Sequence, residues 1–294
     1  MVRNISFMSR TADVMIIAIL VISSLLCIFP IWYTIAVSFS DKSAVAGGMV
    51  SLWPVDFTLS SYKKILQEQA FFTAFGVSLK RVFLGGIINF VVCAMMAYPL
   101  SRTPKQFRFR NVYMWFIVFT MLFSGGLIPW FVTIKSYGLL DTIWALVLPT
   151  AVPVFNVILL VNYFRSIPKD MDEAGMMDGA GPWYMLLKIY LPLSVPVLAT
   201  ITLFSIVGHW NSFFDGLILM NKQEHYPLQT YIQQLVVQIN TDNMTTEELR
   251  QMAQLSNKTL NAAKIVISML PILVVYPFLQ RFFIHGIMLG SVKE

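Results

Sequence analysis

The sequence has few charged residues and few cysteines for its length. Only 12% of its 294 residues are Asp, Glu, Lys or Arg, about half the share of a soluble globular protein. The two cysteines, Cys27 and Cys93, lie in apolar runs and are typical of small core residues rather than of a metal site or a redox pair. Disordered and disulfide-stapled chains are therefore excluded.

Motifs for nucleotide binding and for hydrolysis are missing as well. The sequence contains no Gly-x-x-x-x-Gly-Lys-Ser/Thr phosphate loop, so we expect this chain not to bind ATP in the usual way. It contains no HExxH, GxSxG or clustered Cys/His pattern, and its three histidines stand apart at 209, 225 and 285. We therefore expect no catalytic site, no metal site and no cofactor in this chain.

Apolar residues make up 57% of the chain, and the mean hydropathy is +0.69. A soluble domain cannot hide so much apolar surface, so the sequence predicts an all-α membrane protein. Stretches without charge predict six transmembrane helices. The sixth stretch is short, and we expect Lys264 and Arg281 to extend it by reaching the membrane interface. The predicted spans cover about residues 14–40, 82–101, 111–134, 142–164, 189–214 and 262–283.

The charge of the loops predicts how the chain is oriented. The loop Ser101–Arg110 carries four cations and no acid, which is typical of a cytoplasmic loop. The N-terminus, the loop 165–190 and the C-terminus then lie in the cytoplasm too. The net charge of +6 is accordingly interpreted as a record of topology, and we expect no nucleic-acid partner.

Two outer segments carry further predictions. Because cations are costly in lipid, we expect Phe71–Leu79 to lie along the outer interface with Lys80 and Arg81 at the headgroups; a buried functional pair is the alternative. Apolar spacing predicts an amphipathic helix over Leu228–Ile239, and a capping pattern predicts another helix start at Thr246.

The inner loop 165–190 has the pattern of a helix–turn–helix. Pro168 can begin a helix whose first turn is acidic, and Gly179 can end it. Pro182 can begin a second helix that Pro192 and Pro196 then break. This pattern fits two interpretations equally: an inner loop that packs on its own bundle, and an element that docks on another protein. Apolar positions of the second helix at helical spacing are Trp183, Leu186, Leu187 and Tyr190.

Specific residues of this loop resemble the sequence signature of a known family. Glu173-Ala174-Gly175, followed by Gly179 and Leu191-Pro192, resembles the EAA signature of permease subunits of bacterial ABC importers. Gly175 stands where the signature has its second Ala. The segments His209-Trp210-Asn211 and Tyr226-Pro227-Leu228 are similar to the carbohydrate-importer branch, and the likeness extends over essentially the whole chain.

This resemblance implies a type I ABC importer permease fold in the bacterial cytoplasmic membrane. It implies a heterodimer with a second permease, two cytoplasmic ATPase subunits that bind ATP and Mg, a solute-binding protein outside, and an oligosaccharide substrate. An importer of peptides or amino acids is an alternative, and a self-sufficient secondary transporter is another.

The resemblance also implies that the inner loop couples this chain to the ATPase. Glu173 would be the charged anchor on the small Ala174-Gly175 face, and Asp178 and Gly179 would shape the turn. Leu186 and Leu187 would fasten the second helix to the bundle.

Polar residues within the spans are candidates for the substrate path. Asparagine and histidine are costly in lipid and should face the bundle interior, where either interhelical hydrogen bonds or substrate contacts explain them. Trp210 adds an aromatic ring on which a sugar can stack. Pro149 and Pro153 can break the fourth span where it lines a cavity. The candidate path residues are Asn156, Asn162, His209, Trp210 and Asn211.

Overall fold

The structure, a computed structural model, describes residues 7–237 and 258–291. Every regular element in these ranges is helical, which confirms the predicted all-α fold. The helices are α1 (Phe7–Ser38), α2 (Lys42–Ala46), α3 (Ser60–Gln67), α4 (Gln69–Ser101), α5 (Arg110–Leu122), α6 (Leu127–Ser136), α7 (Ile143–Val147), α8 (Val154–Ser166), α9 (Lys169–Met177), α10 (Pro182–Tyr184), α11 (Leu191–Leu193), α12 (Val195–Asn211), α13 (Phe214–Leu219), α14 (Leu228–Val237) and α15 (Lys258–Ser291).

One compact unit comprises Met1–Glu68 and Leu235–Met269. Its main element is α1, of which Asp13–Ser38 is long and apolar enough to cross a membrane. The end of α1 packs through Ala36 and Val37 on Ala44, Val50 and Ala262.

Lys264 in this unit does not have the interfacial position that the sequence predicts. Its side chain is buried, and its Nζ lies 2.6 Å from Oε1 of Glu68. A cation that reaches a carboxylate inside the protein has no need to extend to the headgroups.

The second unit comprises Gln69–Gln234 and Leu270–Glu294, and its core lies where α4, α8 and α12 meet. The core includes Cys93 and Ala97 of α4, Leu160 of α8 and Ile201 of α12, all at most 1% exposed. Small residues on α4 let the neighbouring helices approach closely. Cys93 is thus the core residue that the sequence predicts, whereas Cys27 on α1 is exposed.

Three of the predicted spans are bent pairs of helices rather than single helices. Helices α5 and α6 meet at 113°, the segment Ile143–Thr150 meets α8 at 44°, and the segment Pro182–Leu193 meets α12 at 84°. Gly126, with a φ of 90°, allows the first bend because such a backbone strains other residues. Prolines at 149, 153, 192 and 196 remove backbone donors at the other two.

One face of the N-terminal part of α4 is packed inside the protein. Helix α4 runs without interruption from Gln69 to Ser101, and Phe71 and Ser78 are each 1% exposed. The backbone N–H of Leu228 donates to Ser78 Oγ at 2.8 Å, and Phe71 meets Tyr231 edge to face. One face of Phe71–Leu79 therefore packs against α14, and the interfacial position of the segment stays a prediction.

Helix α14 itself begins at Leu228, as its apolar spacing predicts. The predicted helix start at Thr246 and the end of the amphipathic segment at Ile239 lie outside the described residues.

Candidate coupling loop and substrate path

Helix α9 forms as the sequence predicts, and its two ends explain why. Pro168 caps its start, and Asp170 and Asp172 occupy the first turn, where the helix dipole favours acids. At the other end Gly179 has a φ of 74°. The N–H of Ala180 donates to the carbonyl of Gly175 at 2.9 Å. This pattern of bonds is the Schellman motif, so the helix stops at a fixed residue.

Asp172 attaches α9 to the rest of the second unit. Arg102 Nη1 lies 2.8 Å from both carboxylate oxygens of Asp172, and the Tyr190 hydroxyl donates to Oδ1 at 2.7 Å. The Arg102 guanidinium also lies over the rings of Tyr98 and Tyr190, at 4.5 and 4.3 Å from their centroids. Sequence patterns missed this cluster, because its members are far apart in the chain.

Glu173 lies next to Asp172 but points away from that cluster, since its side chain is exposed. Met176 and Met177 are 53% and 88% exposed. The free surface of α9 thus combines a carboxylate with flexible apolar side chains, which suits contact with another protein. One acid of the pair holds the helix in place, and the other remains available.

The second helix of the loop differs from the prediction in its winding. Between α10 and α11 the residues Met185–Tyr190 form a π-helix, whose i→i+5 bonds widen the turn. Leu186 is 4% exposed and fastens this segment to the core, as predicted. Leu187 is 54% exposed, so the prediction for Leu187 is wrong. Tyr190 is buried as its apolar spacing predicts, and Met185 is buried in place of Leu187.

The structure gives a physical reason for Gly175, the departure from the EAA signature. Gly175 is buried against the second helix of the loop. A β-carbon at this position would lie 2.5 Å from Met185 Sδ and 3.4 Å from Ile189 Cδ1. Because Met185 is itself only 2% exposed, the glycine makes room for it.

Polar side chains form a line inside the second unit, where α4 faces α12. Arg81, Gly85 and Asn89 follow one another at single turns of α4. Gly85 touches His209 so closely that a β-carbon would lie 2.3 Å from its Nε2. We call this line the polar seam; its side chains are Arg81, Asn89, Asn156, Ser205, His209 and Asp215.

Arg81 and Asp215 form the first contact of the polar seam. Arg81 Nη1 lies 3.1 Å from Asp215 Oδ1, and Nη2 forms an ion pair with Oδ2. The Arg81 side chain is 1% exposed. The headgroup position predicted for Arg81 is therefore wrong, and the alternative, in which Lys80 and Arg81 are buried together as a pair, is wrong too. Lys80, by contrast, is exposed.

Of the five candidate path residues, three are buried and two are exposed. Asn156 is buried and donates to Ile201 O at 3.3 Å and Ser205 Oγ at 3.4 Å, which is an interhelical contact. Trp210 is 3% exposed and meets the Phe75 ring edge to face. His209 is buried as well. Asn162 and Asn211 are exposed, so His209, Trp210 and Asn211 do not share one surface.

A large space lies beside the residues that follow α12. An open cavity of about 1100 Å³ is lined by part of the stretch from Ser124 to Leu139, by Leu148 and Pro149, and by residues that follow α12. Its wall includes the rings of Trp130, Tyr137 and Phe214, together with Ser212 and Asp215. Aromatic faces beside a few polar groups are what a sugar site requires. These rings belong to segments whose proximity no local pattern reveals.

Comparison with known proteins agrees with this architecture. Residues 70–289 match the family model described as "Binding-protein-dependent transport system inner membrane component". The chain is 36% identical over 285 residues to the polygalacturonan/rhamnogalacturonan transport system permease protein YtcP of Bacillus subtilis (strain 168), with 97% of this chain and 99% of that protein covered. It is 39% identical over 266 residues to the protein LplC of the same organism, covering 90% and 89%.

A solved structure is similar over the whole chain. It is a chain of a bacterial ABC transporter involved in the import of the acidic polysaccharide alginate. The TM-score is 0.85 at 35% identity, with 95% of this chain and 98% of that chain covered. The chain therefore belongs to the inner membrane components of binding-protein-dependent transport systems, the permease subunits of ABC importers.

Proposed function

We propose that this chain is one of two permease subunits of an ATP-driven importer for an oligosaccharide. A solute-binding protein outside the cell delivers the substrate, and the two permeases form its path. The observation that carries this proposal is the similarity to the alginate importer, which extends over 95% of the chain. The permease YtcP, named for polygalacturonan/rhamnogalacturonan transport, supports it.

The energy comes from other subunits in this proposal. Two cytoplasmic ATPase subunits bind ATP and Mg, and this chain supplies no catalytic residue or cofactor. The exposed Glu173 and its methionine neighbours dock on the ATPase, with Ala174 and Gly175 as the small face and Asp178 and Gly179 as the turn. With the docking loop on the cytoplasmic side, both termini of the chain also lie in the cytoplasm in this proposal.

Acidic oligosaccharides are the first substrates to test, since the similar solved structure belongs to an importer of the acidic polysaccharide alginate. We assign the substrate path of this chain to the cavity lined by Trp130, Tyr137 and Phe214, whose lining also includes Ser212, the residue after Asn211. Asp215 carries no net negative charge into that cavity because Arg81 neutralises it.

Reconstitution of the transporter tests the proposal. The chain is co-purified with its second permease and ATPase and placed in proteoliposomes with the binding protein. Oligogalacturonate, maltodextrin and a peptide are offered in turn, with and without ATP. We expect ATP-dependent uptake of an oligosaccharide only. Uptake by this chain alone on an ion gradient, or uptake of the peptide, contradicts the proposal.

The cavity has a separate test in the same assay. Tyr137 and Phe214 are 75% and 51% exposed, so replacing either with Ala leaves the core intact. We expect each variant to reduce uptake several-fold, because stacking on one aromatic ring contributes about 1 kcal/mol. Phe83→Ala, an exposed ring on α4 outside the cavity, is the matched control. Equal uptake by all three variants removes the cavity from the path.

A further inference from the structure

An apolar groove lies between α4 and α5, apart from the coupling loop; it shares only Pro149 with the lining of the substrate cavity. Its volume is about 690 Å³, and its walls are the C-terminal part of α4, α5, and the stretch around Pro149 and Val154. Along α5 it extends from Tyr113 to Thr120, about 10 Å at the rise of a helix. It also contains two neighbouring methionines, Met95 and Met96, whose flexible side chains adapt to a chain-like ligand.

One end of this groove opens at the most basic loop of the protein. Phe107 of that loop stacks on Tyr113 at 5.6 Å and lines the groove. Lys105 and Arg108 flank Phe107 in the sequence, and both are exposed. Neither forms an ion pair with any residue that the structure describes. Residues 101–110 contain no acid, so this end attracts anions.

We propose that the groove binds an anionic phospholipid. The phosphate contacts Lys105 and Arg108, and an acyl chain lies along the groove between α4 and α5. A basic loop at the mouth of an apolar groove matches both parts of such a lipid. A helix of the second permease would fill the groove but leave the two cations without a partner. The proposal requires only that α4 and α5 lie in a membrane.

Lipid binding to the purified transporter tests this site. Native mass spectrometry counts the bound lipids when phosphatidylglycerol or phosphatidylcholine with identical acyl chains is added. We expect the wild type to retain phosphatidylglycerol preferentially. The double variant Lys105→Gln/Arg108→Gln should bind it about 30-fold more weakly, which is the effect of removing two cations near a headgroup.

Two further variants make the result decisive. Lys63→Gln/Lys64→Gln removes two exposed cations from α3 and should keep the wild-type preference. Thr120→Trp keeps every charge but fills the groove, and it should also lose the bound phosphatidylglycerol. An unchanged lipid preference in the Lys105/Arg108 variant overturns the proposal. Loss of the second permease from the Thr120→Trp complex overturns it as well, since a protein helix then occupies the groove.

Discussion

Arg81 of α4 and Asp215 of α13, 134 residues apart in the sequence, form a two-pronged ion pair inside the second unit. The Ser212 hydroxyl donates to the same carboxylate at 2.8 Å, and Arg81 Nη1 lies 3.3 Å from the carbonyl of Ser212. The pair thus links α4 to the segment just after α12.

Removing one partner of this pair should be more harmful than removing both. A buried charge without its partner costs about 3–5 kcal/mol, whereas an apolar replacement of both is often tolerated. We expect Arg81→Met and Asp215→Leu each to lower the melting temperature of the purified transporter, and the double variant to recover much of the loss. Additive losses in this double-mutant cycle contradict a direct pairing.

Glu173 and Asp172, adjacent on α9, should give opposite phenotypes. Glu173→Lys reverses an exposed charge. It should therefore leave the melting temperature unchanged and abolish ATPase association or the stimulation of ATP hydrolysis by loaded binding protein. Asp172→Asn weakens the contacts with Arg102 and Tyr190 and should destabilise the loop itself by about 1–3 kcal/mol.

Co-purification of the ATPase, stimulated ATP hydrolysis and thermal melting are measured for both variants. Normal assembly, hydrolysis and uptake in Glu173→Lys would show that Glu173 is not the coupling anchor.

Gly175→Ala should destabilise the packing of α9 on the second helix of the loop. The new methyl group displaces the buried Met185 side chain, and overpacking of this kind costs about 1–3 kcal/mol. Met185→Ala in the same chain should relieve the clash. The double variant should therefore lose less in melting temperature than the sum of the losses in the two single variants. Independent effects in thermal melting count against this contact.

The contact between Asp141 and His225, outside the predicted spans, should be sensitive to acid. Desolvation raises the pKa of this carboxyl, but the N–H groups of Asn221 and Lys222 and the nearby His225 imidazole outweigh it and lower the pKa below 3.8. A lowered folded-state pKa contributes stability above about pH 4 that is lost as the pH falls through the folded value. His225 Nδ1 lies 3.0 Å from Asp141 Oδ1.

The charge of Asp141 can be removed without changing its backbone. Asp141 has a φ of 61°, which Asn tolerates. Melting temperatures of Asp141→Asn should therefore fall less steeply than those of the wild type between pH 5 and pH 3. Parallel curves for the two proteins would contradict the contact.

Local signals predicted those parts of the fold that neighbours in sequence determine. Pro168 and Gly179 delimit α9 because capping depends on residues within one turn. The position of Arg81 was not predictable, because its partner Asp215 is distant in the chain. Leu187 was misplaced because α-helical spacing does not foresee a π-helix.

The close contact of Gly85 with His209 limits how related sequences can diverge. A β-carbon at position 85 has no room while the imidazole is in place, since it would lie 2.3 Å from Nε2. Substitutions at the two positions are therefore tolerated in one order only. A smaller residue on α12 must come first, and only then is a larger residue on α4 tolerated.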